Sequence, residues 1–97
     1  MRFHLGFLPD ANRDFHDAIV WYGGQRGFAR KFVSAVRQVL KPLRTMPRIH
    51  GFAVADVRRA PVKGFPYVIL YRIISSDILV VAVIHTKREP NDGQKRE

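Results

Sequence analysis

The chain has 97 residues, 46% of them hydrophobic, with 17 Lys+Arg against 8 Asp+Glu and a formal net charge of +9. That length holds one small domain able to bury roughly 65% of its unfolded surface, and with seven Phe for a core it excludes disorder throughout. The absence of cysteine excludes disulfides, thiolate nucleophiles and cysteine-ligated metals, and the charge, twelve of its cations being Arg, favours an anionic partner such as nucleic acid, an acidic protein segment or a membrane surface.

Phe3, Leu5 and Phe7 alternate and predict a short first strand. Pro9 and Asp10 then open a helix, with Asp10 expected as its N-cap. Ala11, Phe15, Ala18, Ile19 and Tyr22 make its apolar face, and Gly23-Gly24 ends it. A second helix begins near Phe28. Its stripe is Phe28, Phe32, Ala35, Val36, Val39 and Leu43, with Arg30, Arg37, Lys41 and Arg44 lying off it. Pro42 weakens its last turn, and Met46-Pro47 marks the exit. The two helices, joined through a Gly-rich turn, form a hairpin.

The period then changes. Phe52 to Ala60, Phe65 to Ile74 and Ile78 to Thr86 are rich in Val, Ile, Tyr and Phe and read as three strands. Ser75-Ser76-Asp77 is a hairpin turn between the last two. Apolar residues at nearly every position of these strands predict a sheet covered on both faces, one of them by the helix pair. The order β-α-α-β-β-β defines an α+β fold, a helix hairpin on a mostly antiparallel four-stranded sheet. The domain is expected over residues 1–90, with 91–97 an exposed polar tail. The N-terminus lacks the apolar region of a signal peptide, and the longest apolar run, Ile78 to Ile84, is far short of the roughly twenty residues that span a bilayer. A soluble, cytoplasmic protein is expected, with no membrane partner.

Little in the sequence spells out catalysis. His4, His16, His50 and His85 form no ligand pattern, so neither metal nor cofactor is expected. His85, at the end of the last strand before Thr86-Lys87-Arg88, is a candidate acid–base group, with backbone hydrogen bonding as its simpler role. Asp14 and Asp17 on the first helix are expected to face solvent. Tyr67 and Tyr71 share a strand face, as in a base-stacking platform, although aromatics at a central strand more often belong to a core. Arg58, Arg59, Lys63, Arg72, Lys87 and Arg88 come from adjacent strands and the following segment, and their convergence would give one basic binding surface.

Taken together, Val57-Arg58-Arg59, the run Gly64-Phe65-Pro66-Tyr67-Val68-Ile69-Leu70-Tyr71, Ile78 to His85, and Arg88-Glu89-Pro90 resemble the RelE/ParE toxin superfamily, in particular its ParE or plasmid-stabilisation branch. Ala11, Asp14, Ala18, Trp21, Tyr22, Gln25, Phe32 and Pro47 fit the helical half of that pattern. The resemblance implies the toxin of a type II toxin–antitoxin pair, bound by a cognate antitoxin with an acidic-apolar C-terminal segment. ParE-like members are associated with inhibition of DNA gyrase by binding; RelE-like members cut messenger RNA on the ribosome. In the latter, an arginine on the Tyr67–Tyr71 strand and a tyrosine after the last strand take part. Here those positions hold Val68 and fall near Gln94, while Arg88 is retained.

The sequence therefore favours a non-enzymatic gyrase inhibitor. Target contacts are expected at Arg72, His85, Lys87 and Arg88, then at Arg58, Arg59 and Lys63. Antitoxin contacts are expected on the helix hairpin around Trp21, Arg30 and Arg37. The alternatives are a metal-independent endoribonuclease using His85 and Arg88, and a degenerate toxin that only binds antitoxin.

Overall fold

The computed structural model describes residues 2–88. Strand β1 (His4–Phe7) leads into helices α1 (Pro9–Gly23) and α2 (Phe28–Leu43), followed by strands β2 (Phe52–Val54), β3 (Val57–Pro61), β4 (Tyr67–Ile74) and β5 (Asp77–His85) and a short 3-10 turn over Thr86–Arg88. The α+β class and the element order agree with the sequence reading. One predicted strand, Phe52 to Ala60, instead folds as a tight hairpin of β2 and β3, so the sheet has five strands in the order β1-β5-β4-β3-β2. The reversal sits at Ala55, whose φ of 50° is left-handed; nothing in its side chain announces a turn. β1 pairs parallel to β5 and every other pairing is antiparallel.

The N-terminus of α1 differs from expectation. Leu8, not Asp10, is the capping residue, and it makes no side-chain cap. Pro9 occupies the first turn, where a missing N–H costs nothing, and Asp10 contributes its charge to the helix dipole from inside that turn. Between the helices, Gly27 has a φ of 75° and caps α2 in a conformation that favours glycine. Pro42 is accommodated near the end of α2.

Both helices pack on one face of the sheet. Ala11, Ala18, Phe32, Val36, Leu40 and Leu43 meet Ala60, Ile69, Tyr71, Ile78, Val80 and Val83 in a single buried cluster. Tyr71, fully buried, donates from its hydroxyl to the Pro47 carbonyl at 2.7 Å, which ties the segment after α2 to the sheet. By strand alternation the opposite face carries Arg59, Val68, Leu70, Arg72, Leu79, Ala82 and Ile84. On this face Val68 is fully buried and Arg59, Leu70, Arg72, Leu79, Ala82 and Ile84 are half-buried. No helix among the described residues is long and apolar enough to cross a membrane. The predicted tail, 91–97, lies outside the described residues.

A bulge in β5 decides what faces the helices at the far end of the sheet. Leu70 pairs with Ala82 but Tyr71 with Val80, so Val81 is an extra residue. Ile78 and Val80 point into the core, and after the bulge Val83 and His85 do so. Without it, Ala82 and Ile84 would take those places.

Candidate functional site: a cleft between the first helix and the end of the sheet

The bulge and the path of β1 together open a cleft. β1 pairs with β5 only from His4↔Asp77 to Phe7↔Val80, after which the chain turns into α1. β5 continues to His85 with β4 on one side and, among the described residues, no strand on the other. Helix α1 runs alongside this open edge and presents Asp14, Asp17, Ala18 and Trp21, a spacing of i, i+3, i+4 and i+7 that makes one helix face. The hollow between them has a volume of about 460 Å³ and is completed by Tyr67, Val83, Ile84, His85, Lys87 and Arg88.

Asp14 was expected in solvent. Its carboxylate instead accepts a hydrogen bond from the Val83 backbone N–H at 3.1 Å, filling the place of a missing neighbouring strand. An open strand edge must be satisfied by some partner, and one carboxylate fastens α1 to β5 here. Trp21 remains 68% exposed at the mouth of the cleft. Tyr67 packs deeper, in contact with the Phe32 and Tyr22 rings and edge-on to His85 at a ring-centroid distance of 5.3 Å. Burial raises the Tyr67 phenol above its ordinary pKa, and the nearby Arg88 guanidinium offsets part of that rise. Burial, with Tyr67 as neighbour, also raises Tyr22.

His85 has the backbone hydrogen bond anticipated for a strand-end histidine. The Lys87 N–H donates to its Nδ1 at 3.1 Å, which places the proton of the neutral ring on Nε2. Lys87 and Arg88 are exposed, and among the described residues neither forms an ion pair. The cleft thus joins two carboxylates at one end, two cations at the other and aromatic surface between.

The six strand-derived cations do not converge. Only Lys87 and Arg88 line the cleft. Lys63 lies in the β3–β4 loop at the same end of the sheet. Arg72 is five residues along β4 from Tyr67, about 17 Å away along the strand, on the opposite face. It forms an ion pair with Asp56 at 2.9 Å. Arg58 is held by the His50 carbonyl at 2.7 Å and stacks over the Phe52 ring at 4.0 Å. Arg59 pairs with Leu70 on the face of the sheet opposite the helices.

The antitoxin candidates separate as well. Arg30 and Arg37 flank a shallow hollow of about 350 Å³ floored by Ile19, Ala29 and Val33, on the outer side of the helix pair. Trp21 belongs to the cleft. Sequence reasoning passed over Asp14, Asp17 and Tyr67 as cleft residues. The helical spacing of Asp14, Asp17, Ala18 and Trp21 was the available signal; the Tyr67↔His85 pairing depends on strand register. Among the described residues, no group of three or more His, Asp or Glu could hold a metal ion.

A two-helix layer on a five-stranded sheet, with a cleft of acidic, basic and aromatic side chains at the sheet's end, defines a small α+β protein. Its family is shown directly: the chain belongs to the ParE toxins of type II toxin–antitoxin systems, parDE, whose family model matches residues 5–90. Two solved structures share its fold. One is of the chromosomal ParDE toxin–antitoxin system from P. aeruginosa, with a TM-score of 0.74 and 20% identity, covering 87% of this chain and 96% of that one. The other is of the RelBE2 toxin–antitoxin complex from Mycobacterium tuberculosis, with a TM-score of 0.62 and 22% identity, covering 88% of this chain and 92% of that one. No curated protein matches the sequence.

Proposed function

We propose that this toxin inhibits DNA gyrase by binding it, without hydrolytic chemistry, and is neutralised by a cognate antitoxin. The observation that carries the choice is Val68. It stands where the RelE-like ribonucleases have an arginine, and its apolar side chain is fully buried, with nothing to offer a phosphate. RNA cleavage without a metal needs a base for the ribose hydroxyl and an acid for the leaving oxygen. The one histidine of the cleft has its Nδ1 engaged by a backbone N–H, and Asp14 is engaged with Val83. By contrast, an exposed tryptophan beside cations that form no ion pair among the described residues suits a protein interface.

In this reading Trp21, His85, Lys87 and Arg88 contact the target and Lys63 extends that surface. Arg58, Arg59 and Arg72 lie outside it. The antitoxin reading is supported by the family and by the two structural neighbours, both of them toxin–antitoxin systems. Arg30 and Arg37, on a helix with no acidic residue, give that partner a basic landing surface.

Pulse-labelling after induced expression in a bacterial host without the antitoxin tests the proposal. DNA synthesis is expected to fall before protein synthesis. An earlier fall in protein synthesis would favour the endoribonuclease reading and return His85 and Arg88 to catalytic candidacy, and the absence of any growth defect would favour a degenerate toxin.

A further inference from the structure

We infer that the outward face of α2 binds the phosphate backbone of duplex DNA, without regard to sequence. The inference does not depend on the toxin's target and rests on how charge is distributed over the helix layer.

Three observations carry it. First, the cations are aligned. Arg30, Arg37 and Lys41 stand at i, i+7 and i+11 of α2, within about 40° of one another around the helix and over about 16 Å of its length. Duplex DNA carries one negative charge per about 1.7 Å of axis, so that length can engage all three at once. Second, nothing in the protein neutralises them. α2 contains no acidic residue, and among the described residues none of the three forms an ion pair. The described carboxylates lie elsewhere: Asp10 in the first turn of α1, Asp14 and Asp17 at the cleft, Asp56 on Arg72, and Asp77 beside His4 at 3.5 Å. Third, composition selects among polyanions. After Phe28 at its start, the exposed residues of α2 are Arg30, Lys31, Ser34, Arg37, Gln38 and Lys41. Without an aromatic or aliphatic anchor, this strip lacks the chemistry that dominates protein interfaces. Without an exposed ring it lacks the stacking platform of single-strand binders. Cations, a hydroxyl and an amide are the groups that contact phosphates. A B-form major groove, about 12 Å wide, admits a helix between its phosphate rows, whereas the narrow A-form groove of duplex RNA does not.

Arg30 and Arg37 also belong to the surface given above to the antitoxin, so an antitoxin seated on them displaces the duplex. In that reading the free toxin is held on DNA and the antitoxin-bound form is released from it.

The test is fluorescence anisotropy of short labelled duplexes of unrelated sequence, titrated with the purified full chain over a range of salt. Three phosphate contacts predict a slope of about −2.7 for log affinity against log salt, hence about fortyfold weaker binding on going from about 50 to 200 mM. The affinity should be the same for every duplex sequence. Arg37→Gln/Lys41→Gln should weaken binding at low salt by about tenfold or more and lower the slope by about 2. Arg2→Gln/Arg72→Gln removes the same charge from other surfaces and should change affinity by no more than about twofold. Thermal unfolding of both variants checks that the fold is kept. Equal losses in the two double variants would assign the binding to net charge alone and overturn the inference. No binding at low salt would overturn it, as would tighter binding of single strands or duplex RNA. Tighter binding of a polyglutamate peptide than of the duplex would make this face a protein surface and likewise overturn it. Each of these results leaves the gyrase reading untouched.

Discussion

At the scale of single residues, buried Tyr71 and half-buried His50 bear on the stability of the segment between the second helix and the β2–β3 hairpin. The Tyr71 hydroxyl reaches the carbonyl of Pro47, itself buried. Tyr71→Phe would keep the ring and strand that carbonyl, at a cost of about 1–3 kcal/mol, measurable as a lower midpoint in urea with unchanged slope. Nearby, the His50 ring lies edge-on to Tyr71 at 6.3 Å, and desolvation lowers its pKa below the ordinary 6.5. The folded state therefore resists protonation that the unfolded state accepts. The resulting stability is fully present above the unfolded pKa, near 6.5, and is lost as pH falls from there towards the lower folded value. Comparing wild type with His50→Gln by urea unfolding at neutral and mildly acidic pH isolates this contribution. The wild type should lose more stability on acidification than the variant.

At the scale of elements, the β2–β3 turn stores strain that sequence alone conceals. Ala55 holds a φ of 50°, a conformation that costs a residue with a Cβ about 1–2 kcal/mol. Ala55→Gly relieves the clash and gives back part of it in unfolded-chain entropy, for a net gain of a few tenths to about 1 kcal/mol. Thermal unfolding of the variant should show a higher Tm. The same turn shows where legibility ended. The helices could be read because their apolar stripes recur at helical spacing and Gly23-Gly24 punctuates them. The hairpin could not, because an Ala-Asp pair inside a β-rich run carries no turn signal as strong as Asn-Gly. The β5 bulge was hidden for a related reason: Val80, Val81, Ala82 and Val83 are all apolar, and period-two alternation has no contrast to shift. Asp14 was misplaced because its polarity suggested solvent, whereas its partner is a backbone N–H that the absence of a neighbouring strand leaves open. His85, Lys87 and Arg88 were legible as a group, since they follow one another at a strand end. Their association with Trp21 and Tyr67 was not, because it follows from the bulge and the register.

At the scale of the whole molecule, the net charge of +9 is spread among separate tasks. Arg58 and Arg72 are drawn into intramolecular contacts with a backbone carbonyl and Asp56, Arg30 and Arg37 stand on the outer helix surface, and Lys87 and Arg88 line the cleft without an ion pair among the described residues. The effective charge of the proposed target surface is thus local, and association through it should weaken with added salt once the screening length falls below about 10 Å. A supercoiling assay with purified gyrase, relaxed plasmid and the purified toxin tests the central claim most directly. The account predicts inhibition by the wild type, its loss in the double variant Lys87→Glu/Arg88→Glu, and little change with Arg72→Glu. Full gyrase activity at saturating toxin, together with cleavage of ribosome-bound messenger RNA by the same preparation, would contradict it.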